Sequence, residues 1–224
     1  YTILEYKNNG VQSKLSYAVP PDDSIELWNL DMTNNEKKAL ELDIFPYAEF
    51  CVFNAEKDMS NFQATYFKIR CRAEGSVIHH TTPSDMDEFY AFFATDAKPV
   101  GWECDREKFI GSCRGEANPI EVENGKLSNS DCYLQNPIAS FHIPVKLKPG
   151  ETKTILFMVG TADDQAAGKK LISKYTRQVR FNDVIKEVKT FWEDKLSSQL
   201  VKTPDEDTNL CLNQWHAYQA HVTF

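Results

Sequence analysis

The 224-residue sequence predicts a mainly β protein, an antiparallel β-sandwich up to residue 162 followed by helices. Three observations carry that prediction. Seven or more short apolar segments follow one another at close spacing with no helical period between them, the signature of an antiparallel sandwich. Ala139, Phe141, Ile143, Val145 and Leu147 alternate with polar residues, and Lys148-Pro149-Gly150-Glu151 turns that run back into Thr154 to Val159 as a hairpin. From Asp163 the period changes: Ile185, Val188, Trp192 and Leu196 fall on one helical stripe, with Lys186, Glu187, Glu193 and Asp194 off it.

Taken in order, Val11 to Val19 alternates as a half-buried strand, and Pro20-Pro21-Asp22-Asp23 ends it. Ile25 to Met32 reads as a second strand, apolar on both faces. Asn34-Asn35 with Glu36-Lys37-Lys38 makes a turn, and Leu40 to Phe53 reads as one long strand with Pro46 marking a bend or bulge. Thr65 to Cys71, Val77-Ile78 and Phe89 to Ala94 follow as strands. Late in the chain, Thr203-Pro204-Asp205-Glu206 reads as a helix start, with Thr203 as N-cap, Pro204 at N1 and Glu206 closing a capping box. That helix carries Cys211, Trp215, Tyr218 and Val222 on one face. An aromatic face running to the last residue is expected to have packing partners further along a longer chain.

Composition narrows the function classes. A net charge of −8 argues against nucleic acid, which is bound through basic surfaces. No apolar run approaches the roughly 18 residues of a membrane span. The six cysteines, at 51, 71, 104, 113, 132 and 211, form no Cys-x-x-Cys pair, and that scatter reads as reduced and cytoplasmic. The histidines His79-His80, His216 and His221 lack the i, i+4 spacing of a helical metal site, so no metal is expected. Asp85 with Asp87-Glu88, Asp105 with Glu107, and Asp163-Asp164 invite an acid/base reading, but each stands in a turn-like, charged stretch where solvated surface is the ordinary outcome. Asp105-Arg106 reads as a local ion pair.

The stretch richest in binding chemistry is Phe50 to Gln63, an apolar run ending at Phe53 and then a polar loop bearing Asn54, Asn61 and Gln63. An amide offers both a donor and an acceptor, as a sugar hydroxyl requires, and a loop held between strands is where a scaffold presents such groups. The plainer reading of the same loop is a solvated hairpin.

Phe-Cys-Val-Phe-Asn-Ala (50–55), Asn-Phe-Gln (61–63), Gly-Ser-Val-Ile-His-His (75–80), Asp-Arg-Glu-Lys-Phe-Ile-Gly (105–111), Ser-Asn-Ser (128–130), Lys-Pro-Gly-Glu (148–151) and Asn-Gln-Trp-His-Ala-Tyr-Gln-Ala-His-Val-Thr-Phe (213–224), in this order, resemble the cellobiose phosphorylase family. Glu116-Ala-Asn-Pro119 looks more like the chitobiose branch. The resemblance implies a galactose-mutarotase-like β-sandwich over residues 1–162, incomplete at its start, a helical linker over 163–203, and at 204–224 the first helix of an (α/α)6 catalytic barrel. It also implies inverting phosphorolysis of a β-linked disaccharide or oligosaccharide, with inorganic phosphate as co-substrate, no cofactor, and a homodimer. The family's general acid and phosphate-holding residues belong to the barrel, so no catalytic residue is expected in this chain. What the resemblance carries over is the acceptor-side loop, placing Asn54, Asn61 and Gln63 at sugar-contacting positions. Ala64 stands where the cellobiose type has Arg, and a paired Arg is missing around Pro83 to Asp87. Trp215, Tyr218 and Gln219 either pack against the barrel or reach the sugar. The competing reading is a stand-alone carbohydrate-binding sandwich without catalysis.

Overall fold

The computed structural model describes residues 1–50, 69–82, 90–133, 135–176, 178–197 and 200–223. Among these, the strands in chain order are β1 (Thr2–Asn8), β2 (Val11–Ala18), β3 (Ile25–Asn34), β4 (Leu40–Ile44), β5 (Tyr47–Glu49), β6 (Arg70–Glu74), β7 (Val77–Thr81), β8 (Tyr90–Thr95), β9 (Gly101–Asp105), β10 (Cys132–Tyr133), β11 (Pro137–Leu147) and β12 (Thr152–Ala162). The larger sheet has the order β1-β2-β3-β12-β8-β7-β6-β10, and every ladder in it is antiparallel. The smaller sheet is built on β11. Ser140 faces Tyr47 of β5 on one edge and Glu103 of β9 on the other, and β4 continues the β5 edge along Ile143 to Leu147.

Alternation explains why the two sheets close on each other. Phe141, Ile143, Val145 and Leu147 on β11 point inward and meet Met32, Ile78, Phe93, Ile155 and Phe157 from the larger sheet. The outer face of the larger sheet is equally apolar. There Leu27, Phe92, Leu156 and Met158 are covered by α3 (Gln165–Tyr175) and α4 (Gln178–Leu196) through Tyr175, Phe181, Val184 and Val188. Of the expected stripe on α4, Val188 is buried in this contact and Ile185 and Trp192 pack against it, while Leu196 lies outside it and Phe181 and Val184 complete the buried face. On the outer face of the smaller sheet, a third core forms under α1 (Arg106–Ile110) and α2 (Ile120–Glu123), where Phe109, Ile110, Leu127 and Ile138 pack with Phe45 and Tyr47.

Three expectations are corrected. The long strand from Leu40 is two strands, because Pro46 has no N–H for the ladder and the chain breaks at Phe45-Pro46; its residues beyond 50 lie outside the described ones. Helices do intervene among the strands, since α1 and α2 lie between β9 and β10. The late helix is capped by Asp205, not Thr203. The Asp205 carboxylate accepts from the Thr208 amide, while Thr203 is held by Asn209 through its own amide at 2.7 Å and its hydroxyl at 3.0 Å. That helix is α5 (Glu206–Leu210), followed by a π-helical turn over Cys211–His216 and then α6 (Ala217–Thr223).

The docking of α3 depends on Gly168, whose missing side chain leaves room for the Tyr90 ring. A methyl there would overlap ring carbons of Tyr90, itself 2% exposed. Gly168→Ala is therefore expected to cost about 1–3 kcal/mol by overpacking, despite alanine's better helix propensity. Urea unfolding checks this: a variant as stable as the parent would show that α3 is not seated on β8.

Candidate functional site

The register of the larger sheet lines up strand ends. Ala162, Tyr90, Thr81 and Arg70 pair in succession across β12, β8, β7 and β6, and Tyr133 of β10 completes the row beside Arg70. Arg70, Thr81 and Tyr90 of this rim stand close in sequence to residues 51–68 and 83–89. Asn54, Asn61 and Gln63, with the carboxylates Asp85, Asp87 and Glu88, lie outside the described residues. Around the rim, the Phe50 ring lies 4.2 Å from the His80 ring, and the Arg70 guanidinium sits 5.0 Å over the exposed Tyr133 ring.

The paired histidines split between the two faces of β7. His79 bonds the Tyr90 hydroxyl through Nδ1 at 2.7 Å, and Glu74 stands 3.5 Å from its Nε2. His80 places Nε2 3.4 Å from the Cys71 thiol, on the inner face. Burial depresses both, and with the charge of His79 it takes His80 down to about 3, so His80 stays neutral at ordinary pH. Both are polar groups buried in the core, and Nδ1 of His80 has no hydrogen-bond partner among the described residues.

Two of the carboxylates that invited an acid/base reading, Asp105 and Asp164, have structural work. Asp105 caps α1 by accepting from the amides of Glu107 and Lys108, and Asp164 caps α3 through the Ala167 amide. The expected Asp105-Arg106 pair does not form. Arg106 instead donates to Glu49 at 2.8 Å and to Glu116 at 3.0 Å, tying α1 to β5 and to the segment before α2. These two hydrogen bonds outweigh partial burial and raise the guanidinium further, with Glu49 the larger cause.

Two carboxyls that sequence reading passed over are the unusual ones. Glu103 is wholly buried and Glu121 is 4% exposed. Glu103 Oε1 accepts from the amides of Cys104 at 3.1 Å and Asp105 at 2.9 Å; Glu121 Oε1 accepts from Ser128. The second oxygen of each has no partner among the described residues. Burial drives Glu103 up to about 7 against the lowering effect of the Asp105 amide, and the charge of Glu121 adds to the rise. The sequence signal was slight, an acid between Trp102 and Cys104 in a five-residue strand.

Tyr218 and Gln219 lie elsewhere. α6 runs beside α4, and together with α5 and the π-helical turn they enclose a groove of about 680 Å³ lined by Trp192, Leu210, Gln214, Trp215 and Tyr218. The Tyr218 ring is 5.1 Å from that of Trp192, and Gln219 is exposed. Since α4 packs on β2, this groove sits toward one edge of the larger sheet and Arg70 and Tyr133 toward the other. The described residues therefore do not join Tyr218 and Gln219 to the base of the loop. No described helix is long and apolar enough to cross a membrane.

Residues 1–178 match the family model described as Glycosyl hydrolase 94, supersandwich domain. The chain is 25% identical over 224 residues to the N,N'-diacetylchitobiose phosphorylase of Vibrio proteolyticus, covering 99% of this chain and 28% of that protein. It is 24% identical over 216 residues to the solabiose phosphorylase of Paenibacillus borealis, covering 96% of this chain and 28% of the relative. The chain thus spans about 28% of the length of these curated relatives. A solved structure of a protein from the human microbiome, assigned as a kojibiose phosphorylase, shares the fold with a TM-score of 0.55 at 11% identity, covering 86% of this chain and 23% of that one.

Proposed function

Because the chain belongs to the glycosyl hydrolase 94 family and carries its supersandwich domain over residues 1–178, we propose that it is the sandwich region of an inverting disaccharide phosphorylase. The observation that carries this reading is that relatives aligned along nearly the whole chain are phosphorylases of N,N'-diacetylchitobiose and of solabiose. The reaction is attack of inorganic phosphate on the anomeric carbon of a β-linked unit from the far face, giving an α-sugar 1-phosphate and a free sugar. Phosphate is already an anionic nucleophile, so a single general acid that protonates the leaving oxygen is enough.

In this proposal the chain supplies no catalytic residue and needs no cofactor. Asn54, Asn61 and Gln63 bind the acceptor sugar from the loop between β5 and β6, and Tyr218 with Gln219 contribute near the substrate. Residues 1–162 form the sandwich, 163–203 a helical linker and 204–224 the start of an (α/α)6 barrel that holds the acid and the phosphate site. The enzyme works as a homodimer in the cytoplasm.

Assay of the protein carrying this chain against β-disaccharides, with inorganic phosphate and without it, tests the reading. The expected result is phosphate-dependent release of an α-sugar 1-phosphate, seen as its anomeric proton by NMR. Cleavage that proceeds equally in phosphate-free buffer, or none across chitobiose-, cellobiose- and solabiose-type substrates, overturns it. Ala64, standing where the cellobiose type has Arg, sets a further expectation. Loss of a charged hydrogen bond of about 1.5–3 kcal/mol leaves cellobiose about 10- to 100-fold poorer in kcat/KM than the best substrate.

A further inference from the structure

On the side of the sandwich away from α3 and α4, a cleft of about 380 Å³ opens between the smaller sheet and the α1–α2 excursion. That is the size range of small-molecule sites. Its aromatic wall is Phe45, Tyr47 and Phe109, and its polar mouth is Asp43 and Glu116. The rings are fixed: Phe45 stacks on His142 with centroids 4.7 Å apart, and Tyr47 on Phe109 at 5.1 Å. The carboxylates are fixed as well. Asp43 is bonded through Oδ1 to His142 Nε2 at 2.6 Å, and Glu116 through Oε1 to Arg106 at 3.0 Å. In each, the second oxygen has no hydrogen bond to a described residue and is left to accept one at the mouth.

We propose that this cleft is a binding site for a neutral pyranose, separate from the loop that carries Asn54, Asn61 and Gln63. The chemistry follows from the two kinds of surface. A sugar ring lays its C–H face against an aromatic wall, and its hydroxyls donate to carboxylate oxygens already oriented by a second group. Orientation by His142 and Arg106 means little order has to be imposed on binding. An anionic ligand is disfavoured, because Asp43, Glu116 and nearby Glu49 outnumber the Arg106 guanidinium. A wholly apolar ligand would leave both carboxylates desolvated without donors. The site would hold a sugar unit of the substrate chain, or a free sugar, on the sandwich itself, and in that respect it rests on the phosphorylase reading for its ligand class.

The test is saturation-transfer NMR on the intact protein with cellobiose and N,N'-diacetylchitobiose as probes, and tetramethylammonium as the competing organic cation. Expected is sugar binding that survives in an Asn61→Ala/Gln63→Ala variant and weakens about tenfold in Asp43→Asn/Glu116→Gln. Phe45→Leu, which leaves both carboxylate pairs intact, is the second cleft variant should the first fail to fold, and is expected to weaken the sugar similarly. The proposal is overturned if the loop variant alone abolishes binding, if both cleft variants bind as the parent does, if tetramethylammonium displaces the sugar, or if no sugar binds up to about 50 mM. Phosphorolysis measured in parallel separates the two readings: retained activity with no cleft binding removes this site only.

Discussion

Phe93→Ala is expected to cost about 3–5 kcal/mol, the largest loss from any single side chain considered for this protein. Phe93 is completely buried on β8 and is the ring at which the two sheets meet. Its centroid lies 5.7 Å from Phe141 of the smaller sheet, 5.9 Å from Phe157 of β12 and 5.6 Å from Trp28 of β3. Truncation removes contact with three elements at once, and none of the three rings can swing in to fill the void without leaving its own place in a sheet. Since β8 also carries Tyr90 at the rim and Phe92 against the helices, loosening it weakens both flanking cores. Urea unfolding should show a lower midpoint with an unchanged slope, and Phe93→Leu should lie between the two. A loss below about 1 kcal/mol would mean that the sheets are not closed through this ring.

What was legible in the sequence divides along a physical line. Elements whose pattern is set by near neighbours were readable. The β11–β12 hairpin announces itself by alternation on both arms and by Pro149-Gly150 between them, with Gly150 at φ +72°. The α4 stripe is equally local. The N-cap at 203–206 was readable as a helix start but not to the residue, because Thr203 and Asp205 compete for the same role and Asn209 settles it by capturing Thr203. β1 was missed because each of its residues is exposed, so burial writes no alternation into it. Arg106 was read as the partner of its neighbour Asp105, since its actual partners, Glu49 and Glu116, are brought to it only by topology. The same holds for the cleft, where residues 43–47 and 109–122 meet only once β11 lies between β5 and β9. Asn54, Asn61 and Gln63 were legible from amide chemistry and from the family resemblance, and they remain a proposal.

Glu103→Gln is expected to abolish a pH dependence of stability on the order of 3 kcal/mol. In the folded chain the Glu103 carboxyl is raised from its ordinary 4.5 to about 7, chiefly by burial. Between those values the folded state keeps a proton that the unfolded chain has lost. Stability contributed by that proton is fully present below about pH 4.5 and falls away as pH rises towards 7, flattening above. The groups that set the shift are Glu121 from α2, which disfavours a second negative charge, and the amides of Asp105, Cys104 and Ser130, which favour it. Gln keeps the carbonyl that accepts from Cys104 and Asp105 and carries no charge at any pH. The variant should therefore match the parent near pH 4.5 and exceed it increasingly up to about pH 7.5, in urea unfolding measured across that range. Glu121→Gln should move the fall to lower pH, because one source of repulsion is gone while burial remains. If parent and Glu103→Gln give parallel curves, Glu103 ionises in the folded chain at its ordinary value. Its place behind α2 would then have to admit solvent, and the tight seating of the α1–α2 excursion on β9, on which the cleft at Phe45 and Tyr47 depends, would have to be given up with it.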